Sequence, residues 1–154
     1  MTHVTASLDY VRNDLVDYDK LCLLNLRTES GLVGRVVQDV VTSPPRKWAR
    51  IQGDDGSVDL AIGFEPGADG VTWKLGDAEA ESTIIEKTRP DDFIAELGHI
   101  ESVLEGRDDS GILLLDRCLD TMLVVAAAHL SAAEGRCVKI DYSAGYTPAA
   151  LTTR

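Results

Sequence analysis

The sequence predicts an α+β domain: a mostly antiparallel open sheet of about six strands, with two main helices, 90–105 and 111–134, packed on one face. Three observations predict it. Strand-like runs fill the chain up to residue 87, and helical periodicity is confined to 90–134, so strands and helices are segregated rather than alternating. Short turn signals, Glu29-Ser30-Gly31 and Gly53-Asp54-Asp55-Gly56, join successive runs, as hairpins require. Finally, Ser110–Tyr142 reads as one long apolar-faced helix, a glycine stop and a strand, the richest source of core in the chain.

Val4–Val11 alternates and is expected as the first strand. Asn13–Lys20 reads as a polar connection. Leu21–Thr28 and Leu32–Thr42 are β-rich runs about the Ser30-Gly31 turn. Ser43–Lys47 holds consecutive prolines, which cannot donate to a ladder, and is expected as a loop. Ala49–Gln52 and Ser57–Ile62 form the next hairpin. Phe64–Gly70 is expected as a glycine-punctuated loop, Val71–Leu75 as a strand, Gly76–Glu81 as a turn and Ser82–Lys87 as an extended run.

Thr88-Arg89-Pro90-Asp91-Asp92 signals a helix start, since proline suits the first turn and carboxylates suit the positive end of the dipole. Phe93, Leu97, Ile100 and Leu104 then form a one-sided stripe, and Gly106 stops it. In the second helix Ser110 is the expected cap. Leu115, Leu119, Met122, Val125, Ala126 and His129 are expected to share the buried face, widened by Leu123, Ala127 and Leu130. Gly135 supplies the left-handed stop, Cys137–Tyr142 alternates as a strand, and Pro148–Arg154 reads as a loose tail.

At 154 residues the chain is long enough for one domain with a real core, and 1–154 is expected as a single domain. A net charge of −11 argues against nucleic acid and anionic membrane as partners, both being polyanions. Three cysteines without a C-x-x-C pair suggest neither a disulfide framework nor a zinc site, and a reducing cytoplasm is the expected compartment. Residues 1–15 lack an apolar signal region, and Thr121–Ala133 is too short to span a bilayer.

Chemistry-bearing motifs are sparse. There is no G-x-G-x-x-G opening a helix and no G-x-x-x-x-G-K-[ST], and Gly63, Gly67 and Gly70 are spaced as turn residues. His3, His99 and His129 make no i, i+4 pair on one helix, so no metal is expected; His99 and His129 read first as structural helix residues. Cys22, Cys118 and Cys137 sit among apolar neighbours and read as small hydrophobes. Asp54-Asp55 and Asp91-Asp92 are accounted for by a turn and a helix start. The best local candidate is Pro44-Pro45-Arg46-Lys47-Trp48. Arg46, Lys47 and Trp48, two cations and an indole on a stiffened loop, could hold a polyol or an anion; the plainer alternative is a solvated connection with Trp48 at a core edge.

Four segments together resemble a known family. Ala126–Val138 is a leucine- and alanine-rich helix end followed by Ser131, Gly135 and a short strand. Asp92–His99 is similar to a penultimate helix, Ile51–Val58 to a sheet hairpin, and Leu24–Val33 to the strand pair before it. In this order they resemble the C-terminal domain of the Gfo/Idh/MocA oxidoreductases, over nearly the whole chain from Val4 to Tyr146.

The resemblance implies an open, mostly antiparallel sheet, a Rossmann domain in cis that binds NAD(P), and a polyol or sugar substrate between the two. The glycine fingerprint, the Glu-Lys-Pro segment and the Asp-x-x-x-His helix of that family are absent, so no catalytic or cofactor-binding residue carries over.

The expectation is therefore a substrate-side and oligomerisation domain of an NAD(P)-dependent oxidoreductase, inactive alone and binding no cofactor itself. The alternatives are a non-catalytic dimeric module that binds a ligand or regulates a partner, and a complete small enzyme. Val33, Val36, Val37 and Val40 make Leu21–Thr42 apolar on both faces, so a homo-oligomer through the sheet face away from the helices is expected.

Overall fold

A computed structural model describes residues 1–88, 90–107 and 114–154. The described chain is α+β, with antiparallel sheets and two helices. It is built as two compact units, Met1–Val41 with Ser110–Arg154, and Thr42–Asp109. The expected single sheet of about six strands is corrected: the strands divide into one sheet of five and one of four.

The first unit carries β1 (His3–Arg12), β2 (Asp17–Arg27), β3 (Val33–Asp39), α2 (Leu115–Glu134), β8 (Val138–Ile140) and β9 (Leu151–Thr153). Its sheet runs β3-β2-β1-β8-β9, every pair antiparallel. Alternation along β1 sends Val4, Ala6 and Leu8 toward α2 and leaves Thr5, Ser7 and Asp9 on the far face. Asn13 makes the first hairpin: its side chain accepts the N–H groups of Leu15 and Val16 at 2.9 and 3.1 Å. Strand β2 thus begins at Asp17, inside the stretch expected as a polar connection, because local side-chain bonds make a shorter turn than composition suggests.

The core of this unit is Val4, Leu24, Leu123, Ala127, Ala128, Val138, Ile140 and Ala150. Helix α2 lies across β1 and β8, and Ala127 and Ala128 let it approach closely. The buried face is shifted toward one side of the expected one. Leu123 and Ala127 are buried as expected, together with Ala128, whereas Leu115, Met122 and Val125, also expected on that face, are exposed. Three- and four-residue spacing finds the helix but cannot choose between overlapping stripes in Met122–Leu130, where every residue but His129 is apolar. Gly135 ends α2 at φ 65°, as expected, and its N–H returns to the Ser131 carbonyl at 2.8 Å. The expected cap at Ser110 lies outside the described residues, as does Arg89 of the first helix start.

The chain end is not a loose tail. Pro148–Ala150 forms a 3₁₀ turn, Ala150 is fully buried, and β9 pairs with β8. Two apolar residues, Ala150 in the core and Leu151 packed against it, dock it, too few to register as a periodic pattern.

The second unit carries β4 (Lys47–Gln52), β5 (Gly56–Glu65), β6 (Ala68–Leu75), β7 (Glu81–Glu86) and α1 (Asp91–Leu104). The four strands form an antiparallel meander. The loop expected at Phe64–Gly70 is instead the tight end of a hairpin, with Glu65 opposite Ala68. A register shift after Ala61 folds Phe64 over Gly70, where a methyl group would lie 2.4 Å from the ring. Helix α1 begins at Asp91, with the expected carboxylates Asp91 and Asp92 in its first turn but Pro90 at the cap rather than the first helical position; Asp91 accepts the Thr88 N–H at 3.0 Å and its hydroxyl at 2.6 Å. None of its residues is buried, and the stripe Phe93, Leu97, Ile100 and Leu104 is exposed.

Candidate functional site

The far face of the first sheet, away from α2, carries the most chemically distinctive group. In an antiparallel ladder, directly opposed residues project to the same side. Register places Lys139, His3, Arg27 and Val33 in one row across β8, β1, β2 and β3. The next row holds Thr5, Asn25 and Arg35. His3, Thr5, Asn25, Arg27, Arg35 and Cys137 line a groove of about 710 Å³.

The electrostatics of this groove run against those of the chain. Lys139 is answered by Glu29 at 3.4 Å, and Asp141 also lies in its field. Arg27 and Arg35 have no acidic side-chain partner among the described residues. Like charges set opposite or diagonal on a sheet destabilise it, and this chain has acidic residues in excess, at a net −11. The His3 ring hydrogen-bonds the Thr2 hydroxyl at 3.2 Å. Asp141 is held below the usual carboxylate range, first by the Ser143 hydroxyl and then by the Ser143 N–H, so it stays anionic beside Lys139. Farther along the face the surface turns apolar at Leu23 and Val37.

The residues singled out from sequence lie elsewhere. Arg46 precedes β4 and is exposed; Lys47 lies opposite Ile62 and Trp48 opposite Ala61. Neighbours in a strand project to opposite faces, so Lys47 and Trp48 are not brought to one side of the sheet. Trp48 is 68% exposed and does not pack as a core edge.

The histidines are dispersed. His129 on α2 meets Tyr10 on β1, with the Tyr10 hydroxyl 2.9 Å from Nδ1, and the Arg12 guanidinium stacks 4.2 Å above the Tyr10 ring. This ties helix to sheet. His99 lies on α1 and His3 in the groove. Burial pushes the Cys22 thiol up, away from the thiolate a nucleophile needs. Among the described residues no three His, Cys, Asp or Glu side chains could hold a metal ion together. No helix among them is long and apolar enough to cross a membrane.

Sequence reasoning missed Arg27, Arg35, Asn25 and Lys139. Each sits in the polar phase of its strand and reads as ordinary solvent face. Only cross-strand register aligns the phases, although the order Asn25-Leu26-Arg27 and Val33-Gly34-Arg35 about a glycine turn was a usable signal.

No family model matches the chain, and no curated protein matches its sequence. Among solved structures the chain is similar to an aldose-aldose oxidoreductase from Caulobacter crescentus, complexed with glycerol, at TM-score 0.70 and 24% identity. The match covers 90% of this chain and 41% of that one, so the chain spans about two-fifths of the other's length. The two share a fold, the fold implied by the resemblance to a Gfo/Idh/MocA C-terminal domain.

Proposed function

We propose that the chain is the substrate-side and oligomerisation domain of an oxidoreductase that uses NAD(P) on sugars or inositol-like polyols, and that it is inactive by itself. The observation that carries this reading is the shared fold over 90% of the chain with part of a protein described as an aldose-aldose oxidoreductase. A dinucleotide site of the Rossmann kind needs parallel strands joined through a glycine loop into a helix. All strand pairs described here are antiparallel, and no glycine fingerprint exists in the sequence. The residues therefore do not fit NAD(P), and a Rossmann domain in cis would have to supply it. A polyol or sugar is the small molecule this reading assigns. Arg46, Lys47 and Trp48 remain candidates for the substrate side, Trp48 by offering an open indole face to a sugar ring.

For assembly, the face of the second sheet that bears Ile51, Val58, Leu60 and Ile62 supports pairing between copies. Register puts these side chains together, and all four are exposed, Ile51 by 73%. On the first sheet Val33 and Val37 share the far face, while Val36 lies on the α2 side. Three free cysteines agree with work in a reducing cytoplasm.

A second reading, a non-catalytic dimeric module that binds a ligand or regulates a partner, is favoured by one observation: the cationic groove is complete within the first unit.

Incubation of the chain with NAD or NADP and a panel of aldoses and polyols tests the first reading. No reduced nicotinamide is expected, and turnover would contradict it. Light scattering is expected to give a dimer or larger assembly; a strict monomer at high concentration would contradict the oligomerisation role.

A further inference from the structure

We propose that the groove on the far face of the first sheet is a binding site for a phosphorylated polyol, with Arg27 and Arg35 gripping the phosphate and Asn25 and Thr5 reading the hydroxyl groups beside it. This inference rests on the groove alone and does not require the oxidoreductase reading.

Placement comes first. Arg27 faces Val33 across the β2–β3 ladder and Arg35 faces Asn25, so the two arginines are diagonal neighbours. Diagonal residues lie about 7–8 Å apart, within reach of two long side chains converging on one anion. Arg27 and Arg35 have no acidic side-chain partner among the described residues, and Lys139 is already met by Glu29 and Asp141. The groove therefore holds two uncompensated guanidinium groups. A phosphate monoester carries about −1.5 to −2 at neutral pH, a closer match than a singly charged carboxylate. Guanidinium forks also suit the tetrahedral oxygens of phosphate, which they can meet in pairs.

The rest of the ligand follows from the neighbours. Asn25 offers both a donor and an acceptor, and Thr5, directly opposite it, adds a hydroxyl. These pair with hydroxyl groups, not with a second charge. At about 710 Å³ the groove exceeds the needs of inorganic phosphate and matches a small-molecule site. Thr5, Asn25, Arg27 and Arg35 are all strand residues, so the donors stand on a rigid ladder. Repulsion between neighbouring cations costs stability in the empty state, and the ligand's charge would relieve it.

Calorimetric titration of the intact chain with glucose 6-phosphate, using glucose and inorganic phosphate as comparators, tests the assignment. The expected result is saturable binding of the ester, at least about tenfold tighter than either comparator and weakened by salt. Arg35→Gln and Arg27→Gln should each lower affinity at least about tenfold, because each removes a charge-assisted contact. Asn25→Ala should narrow the gap between the ester and inorganic phosphate. Both arginines are exposed, so thermal melting should be unchanged or slightly raised in their variants. Absence of ester binding, equal binding of ester and inorganic phosphate, or binding unaffected by either arginine variant would overturn the proposal. None of these outcomes alters whether the chain turns over NAD(P).

Discussion

Ser131 on α2 accepts the backbone N–H of Ala6 on β1 at 3.0 Å, closing a loop of 125 residues with one hydrogen bond. The same hydroxyl donates to the Arg136 carbonyl at 2.6 Å, and the residue is fully buried. Strand β8 pairs with β1 only at His3 and Val4, so the edge of β1 beyond Val4 would otherwise leave a donor unmet. Ser131→Ala should cost about 1–3 kcal/mol, since it strands both a donor and an acceptor. Chemical denaturation checks this; a loss below a few tenths of a kcal/mol would show that water satisfies both groups.

The shifted face of α2 makes a paired prediction. Leu123 is 6% exposed and Met122 is 57% exposed. Leu123→Ala should cost about 2–5 kcal/mol by leaving a cavity against the sheet. Met122→Ala should stay within about 0.5 kcal/mol. Equal losses would mean that Met122 and Leu123 are both buried, as the spacing of apolar residues along the helix alone suggests.

Glycine positions in the second unit separate close approach from chance. A methyl group at Gly70 would lie 2.4 Å from Cγ and 2.8 Å from Cβ of Phe64, near the root of that side chain rather than its flexible end. Gly70→Ala should therefore destabilise by about 1–3 kcal/mol. Gly98 lies within α1 with nothing within 4 Å, and Gly98→Ala should stabilise by about 0.4–1 kcal/mol. Thermal melting of the two variants should thus shift in opposite directions.

Asp69 gives a pH dependence with a definite sign. Lys87 donates to it at 2.7 Å and the Gly63 N–H at 2.9 Å, and these bonds hold its carboxyl below 3.8. A depressed carboxylate contributes stability that is full above the unfolded value and is lost as pH falls through the folded one. Asp69→Asn should therefore lower the melting temperature near pH 7, and the gap from wild type should close as pH falls below 3.8. A gap that persists unchanged at pH 2 would assign the effect to shape rather than charge.

The legible part of this fold was what local pattern encodes. The β2–β3 turn at Ser30-Gly31, the hairpin at Gly53–Gly56, the α1 start at Asp91 and the Gly135 stop all follow from single residues with strong conformational preferences. What composition hid was long-range. Partition into two sheets depends on which strands find partners across the chain, and β9 is stabilised by its neighbour β8 rather than by its own three residues. The groove was invisible for the same reason. Arg27 and Arg35 are unremarkable surface residues until register sets them side by side, whereas Arg46 and Lys47 drew notice by adjacency in sequence, which a strand converts into opposite faces.

The proposed role of this chain is that of the sheet domain of a nicotinamide-dependent enzyme, with no dinucleotide grip of its own. Calorimetric titration of the chain with NAD and with NADP tests it most directly. The account predicts no saturable heat in the micromolar range for either nucleotide; clear micromolar binding of one of them would contradict it.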